Sequence, residues 1–116
     1  LGSCYYDGTG VTQDYPEMLK WTRKSAAQGN AEGQVRLGLC YMVGLGVGKN
    51  DAEAVKWFRK AVDQGHAGGQ CFLGFCYYSG QGVAVDKEKA RELWRKAKAK
   101  GNGDAAEALR KCFNEE

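Results

Sequence analysis

The sequence predicts an all-α fold, a solenoid of stacked helical hairpins, and three observations carry that prediction. The first is one block met three times: Leu1-Gly2-Ser3-Cys4-Tyr5-Tyr6, Leu37-Gly38-Leu39-Cys40-Tyr41-Met42 and Leu73-Gly74-Phe75-Cys76-Tyr77-Tyr78, each 36 residues after the last. Self-similarity at a period between about 20 and 50 residues marks stacked supersecondary units. The second is that the punctuation keeps the same phase without a gap: Gly8, Gly44 and Gly80; Gly10, Gly46 and Gly82; Asp14, Asn50 and Asp86; Gly29, Gly65 and Gly101. Constant length lets every unit sit on the next with one geometry, since an insertion inside a helix would rotate its buried face away. The third is that nothing breaks the helices internally. The one proline, Pro16, falls in a first turn, where its missing amide costs least.

Residues 1–8 read as the second half of a helix whose first half, the counterpart of Ala31 to Arg36, is absent. Gly8-Thr9-Gly10-Val11 ends it, because paired glycines accept backbone dihedrals that strain other residues. Asp14 then caps a helix over 15–28, with Glu17 completing a capping box, and Asn50 with Glu53 repeats the device for a helix over 51–64. Asp86 caps a helix over 87–100 but has Lys89 in the acidic position, so this start is expected to be the weaker one. Gly29, Gly65 and Gly101 follow these three helices as left-handed cap residues. Between them lie helices over 31–43, 67–79 and 103–114, and no strands. The units are a partial repeat over 1–30, repeats over 31–66 and 67–102, and a C-terminal capping helix over 103–116. Its polar end, Glu115-Glu116, suits the place where stacking stops. Because the chain opens inside a repeat block, it is expected to be the C-terminal piece of a longer array.

Composition excludes several function classes. A net charge of +3 is too mild to argue for nucleic acid. No apolar run approaches the roughly 18 residues of a membrane span. Cys4, Cys40, Cys76 and Cys112 share one phase, but equivalent positions on stacked helices lie about 8–10 Å apart, beyond the ~7 Å that a disulfide spans. They read as small apolar fillers, and unpaired thiols fit a reducing compartment such as the cytoplasm. Metal binding has no support: there is no Cys-x-x-Cys, and the one histidine, His66, is matched by Asn30 and Asn102 in the other units. No cofactor is expected. Gly44-Leu45-Gly46 and Gly80-Gln81-Gly82 follow helices rather than strands and are not nucleotide loops. With no nucleophile and base in motif spacing and no paired carboxylates, the chain is not expected to be an enzyme.

The middle unit carries a longer pattern: Leu37-Gly38, Tyr41, Gly44, Gly46-Val47, Asn50, Ala54, Trp57-Phe58, Lys60-Ala61 and Gly65-His66. On these residues the sequence resembles the Sel1-like repeat family, relatives of the tetratricopeptide repeats, over its whole length. The resemblance implies a right-handed α-α superhelix of antiparallel helix pairs, with a scaffolding or adaptor role. The copies vary: Met18 stands where the others have Ala54 and Ala90, Thr22 where they have Phe58 and Trp94, and Leu93 at the Trp21/Trp57 position. A cysteine-rich secreted branch of the family staples each hairpin with a disulfide. Its cysteine positions correspond here to Gln34 and Gln70 and to Ala26 and Val62, so that staple is not possible and the branch's penicillin-binding activity carries over only weakly.

Helical phase assigns the faces. At about 100° per residue, Gly33, Gln34, Leu37, Gly38, Cys40, Tyr41 and Gly44 share the packing side of the 31–43 helix, with Val35, Leu39 and Met42 opposite. The 67–79 helix repeats this with Cys71, Phe75 and Tyr78, and the first unit offers Ser3 and Tyr6. These positions match those lining the concave surface of Sel1-like arrays. Apolar area with aromatics and methionine there marks a partner groove, so Tyr6, Val35, Leu39, Met42, Cys71, Phe75 and Tyr78 are the candidate partner-binding residues for a protein or peptide. The alternative is an architectural segment of a longer solenoid, which would stack or self-associate through an N-terminal face carrying Leu1, Tyr5 and Leu19. In-phase basic residues, Arg23, Arg59 and Arg95 with Lys24, Lys60 and Lys96, read as a solvated convex face.

Overall fold

The computed structural model describes residues 15–114. Six helices follow one another: α1 Tyr15–Ala27, α2 Ala31–Val43, α3 Asp51–Asp63, α4 Ala67–Ser79, α5 Lys87–Ala99 and α6 Gly103–Phe113. Each packs chiefly on its neighbours in sequence, with a smaller contact between α2 and α4, which makes an all-α repeat superhelix.

The helix ends repeat with the sequence. Asn30, His66 and Asn102 are the N-caps of α2, α4 and α6, accepting hydrogen bonds from the amides of Gly33 (2.9 Å), Gly69 (3.1 Å) and Ala105 (2.8 Å). Each cap satisfies one of the amides that a helix start leaves without an internal partner. Gly29, Gly65 and Gly101 hold φ of 85°, 76° and 91°, the left-handed conformation expected of them. Asn50 and Asp86 cap α3 and α5 through the amides of Glu53 and Lys89, both at 3.1 Å. The reciprocal half of the capping box has no role at either start. The backbone amide of Asn50 donates to the Tyr41 carbonyl (2.8 Å) and that of Asp86 to the Tyr77 carbonyl (2.9 Å), so Lys89 in the acidic position gives up no reciprocal bond. The expected cap at Asp14 lies outside the described residues.

Among the described residues three apolar clusters form the core. Leu19, Ala26, Leu37 and Cys40 form the first; Val35, Ala54, Val55, Phe58, Ala61, Leu73 and Cys76 the second; Cys71, Trp94, Ala97, Ala105, Ala108 and Leu109 the third. Large side chains on α3 and α5 need glycine opposite them. A Cβ on Gly38 would stand 2.6 Å from the Phe58 ring, and one on Gly74 would overlap the Trp94 indole. The sequence pairs each Leu-Gly with an aromatic on the next helix for this reason.

Polar bonds cross the seams at the same phase. The Gln64 amide donates to the Gly29 carbonyl (2.9 Å) and to Gln34 Oε1 (3.0 Å), and Lys100 Nζ donates to the Gly65 carbonyl. Each end-of-helix side chain thereby serves an open carbonyl at the end of the preceding unit. Gln34 Nε2 also reaches the Ala26 carbonyl at 3.5 Å, joining α1 to α2 at the positions where the cysteine-rich branch places its staple.

Candidate binding groove

The structure separates the candidate partner-binding residues into two sets. Leu39, Met42, Phe75 and Tyr78 are half-buried, each with one side against a core cluster. Val35 and Cys71, at 4% and 2% exposure, are core residues and present almost no surface. Counting from the repeat-defining side placed them at the edge of the opposite face. The buried arc is wider than that, because α2 and α4 each touch a helix before, a helix after and one another. Val35 is consequently closed in with Val55, Phe58 and Leu73, and Cys71 with Trp94 and Leu109. Tyr6 lies outside the described residues.

Phe75 and Tyr78 belong to an aromatic cluster that helical phase alone did not reveal. Phe75 meets Trp94 edge-on at 5.0 Å between ring centres, Tyr78 lies 5.5 Å from Trp94, and Phe113 of the last helix is 5.8 Å from both Tyr78 and Trp94. The Trp94 indole also donates to the Cys71 carbonyl at 3.0 Å. The capping helix thus shields one side of this pair. Lys87 lies over the Tyr78 ring at 5.1 Å, and a hydrogen bond to the Cys112 thiol holds the Tyr78 phenol above the usual tyrosine range.

A groove of about 1080 Å³ runs from α1 across α2 to the start of α4. Its apolar lining comes from Met18, Trp21, Leu39 and Phe72, and its polar rim from Asn30, Glu32, Arg36, His66 and Asn102. Of the candidate residues only Leu39 and the buried Val35 contribute to it. Phe72 was not singled out by counting, although its phase shows a signal: it stands 36 residues after Arg36, an aromatic ring where the previous copy carries a charge. It stacks on Phe58 at 5.6 Å and leaves its other face toward the groove. Glu32 ties the rim together, meeting Arg36 at 3.5 Å and His66 at 3.1 Å.

Burial pushes the thiols of Cys71 and Cys76 up to about 11, reinforced by the charges of Asp104 and Asp51, and burial also raises Cys40 against the opposing pull of Arg23. Neutral buried thiols are inert. Among the described residues no group of three or more His, Cys, Asp or Glu side chains is arranged to hold a metal, and no helix is long and apolar enough to cross a membrane. The basic ladder of the outer helices is engaged within the molecule: Arg23 and Arg59 donate to the hydroxyls of Tyr41 (3.5 Å) and Tyr77 (3.0 Å), and Lys60 lies over Trp57 at 5.4 Å.

Comparison with known proteins places this geometry. The profile of the Sel1 repeat matches residues 1–30, 31–66 and 67–102. A protective antigen present in uropathogenic Escherichia coli strains, displaying an SLR fold, superposes with a TM-score of 0.82 at 42% identity over 93% of the chain. A Sel1 repeat protein from Oxalobacter formigenes gives 0.80 at 34% identity over 97%, and cysteine-rich protein B of Helicobacter pylori gives 0.74 at 27% over 80%. The chain spans 23%, 46% and 70% of the lengths of these three proteins. A comparison with curated proteins returned no match. Proteins of this repeat type are generally protein-interaction scaffolds and typically non-enzymatic. The gapless 36-residue hairpin, its glycine-to-aromatic seams and the profile match over three consecutive units make this chain a member of the Sel1 repeat family.

Proposed function

We propose that the chain is a protein-interaction scaffold whose inner helix face, centred on Leu39 and Phe72 and continued by Met42, Phe75 and Tyr78, takes a peptide or a segment of a partner protein. One observation carries this reading. A groove of about 1080 Å³ with half-buried apolar side chains inside and a polar rim is built from residues of successive units. Such a surface offers apolar anchoring area while its rim keeps it soluble. The test is to pan a random peptide library on the chain and re-measure the selected peptides on Leu39→Lys and Phe72→Arg, the latter copying the residue that the previous unit carries. Selected peptides should lose at least about tenfold in affinity, as expected for a central apolar anchor, while helix content stays unchanged. Equal affinity for both variants would refute the assignment of this face.

A second reading has its own observation. Trp21 is 60% exposed, whereas Trp57, one period later, is half-buried with its indole nitrogen sealed. This difference supports a reading in which the α1 side takes further stacking, within a longer solenoid or between copies. Light scattering during size-exclusion chromatography tests the latter, and a strict monomer at high concentration would count against self-association.

A further inference from the structure

His66 is the N-cap of α4 and stands where α2 and α6 carry asparagine. Its Nδ1 accepts the Gly69 amide at 3.1 Å and its Nε2 lies 3.1 Å from Glu32 Oε1. An amide only donates and a carboxylate only accepts, so the neutral ring with its proton on Nε2 is the form that serves both. A second proton on Nδ1 would face the Gly69 N–H, and the cap would be lost. The start of α4 depends on this cap more than its counterparts do. Two glycines, Gly68 and Gly69, lie in its first turn, and that turn has no acidic residue, whereas α2 has Glu32 and α6 has Asp104. Asn30 and Asn102 hold the same position in the other units and do not titrate.

We propose that His66 is a pH-sensitive latch on the groove: its protonation releases the first turn of α4 and loosens the wall that carries Gly68 and Phe72. The charged groups around it pull in different directions. Glu32 from α2 favours the imidazolium, but its side chain is 58% exposed and shared with Arg36, so its attraction is screened. Lys100, at the end of α5 on the Gly65 carbonyl, and the positive end of α4 both oppose a second proton. Asp63, on α3, closes the helix just before the Gly65-His66 turn. The link to partner capture rests on the inner-face reading above; the latch itself does not.

The experiment is amide hydrogen exchange of the whole chain, with rates corrected for intrinsic exchange. From about pH 7.5 to about pH 5.5, protection at Gly69 should fall about fivefold to tenfold, the worth of one cap. His66→Asn, which installs the residue of the other units, should keep the cap and hold Gly69 protection level across the same range. A flat profile in the wild type, or an equal fall in His66→Asn, overturns the latch. Because no ligand is present, neither result depends on whether the inner face binds peptides.

Discussion

Replacing Gly74 with alanine tests the packing rule on which the superhelix is built. In an exposed helix interior this change gains about 1 kcal/mol, because alanine loses less backbone freedom than glycine. At Gly74 the new methyl group would overlap the Trp94 indole. Trp94 has no room to yield: it is 0% exposed, bonded to the Cys71 carbonyl, and wedged among Phe75, Tyr78 and Phe113. Overpacking of a fitted core costs about 1–3 kcal/mol, and displacing the indole from its carbonyl about 1 kcal/mol more. Set against the propensity gain, the net loss is about 2 kcal/mol, or roughly 8 °C in Tm for a domain of this size. Urea denaturation followed by far-UV circular dichroism measures it, with tryptophan fluorescence reporting on the indole itself. Gly103→Ala is the control, since a Cβ there meets nothing within 4 Å, and it should be neutral or stabilising. If Gly74→Ala behaves like Gly103→Ala, close glycine-to-aromatic approach does not set the spacing of the helices.

Two further outcomes follow from burial. Leu37→Ala should cost about 2–5 kcal/mol through the cavity it leaves, because Leu37 is 2% exposed in the first core cluster, whereas half-buried Met42→Ala should cost well under half of that. Equal losses by urea denaturation would place Met42 in the core and remove it from the binding face. For the cysteines, Cys112 is exposed and should react readily with a thiol reagent, while Cys71 and Cys76 react only on unfolding. The folded pKa of the two buried thiols is raised to about 11 from the ordinary 9.0, so the unfolded chain ionises first. Stability present below about pH 9 should therefore decline as pH rises toward 11, and a Cys71→Ala/Cys76→Ala variant should show a smaller decline. A stability curve unchanged by that double substitution would count against burial as the controlling feature.

The fold was legible because repetition turns one local rule into a global one. Once Leu37-Gly38 and Leu73-Gly74 are read in phase with Asn50, Asp86, Gly65 and Gly101, the helix boundaries follow to within a residue or two. A helix end depends on a handful of neighbouring side chains and on glycine's access to positive φ, all of them local in sequence. The N-cap role of Asn30, His66 and Asn102 was equally local, but the capping box draws attention to the other helix of each pair.

The inner face was legible only in part. Helical phase put Leu39, Met42, Phe75 and Tyr78, which are half-buried, on one side together with Val35 and Cys71, which are core. Phase reports the direction in which a side chain leaves its helix. Whether that direction meets solvent depends on how far the next helix reaches around, which is a property of the stack.

What the sequence by itself determined is the unit: its length, its two helices, their caps, and the glycines that admit Phe58 and Trp94. What only the tertiary structure decided is which side chains the stack leaves open. Successive hairpins bury a wider arc than one hairpin needs, so Val35 and Cys71 go inward, Phe72 comes to line a groove, and His66 is brought across a seam to Glu32, 34 residues away in the chain.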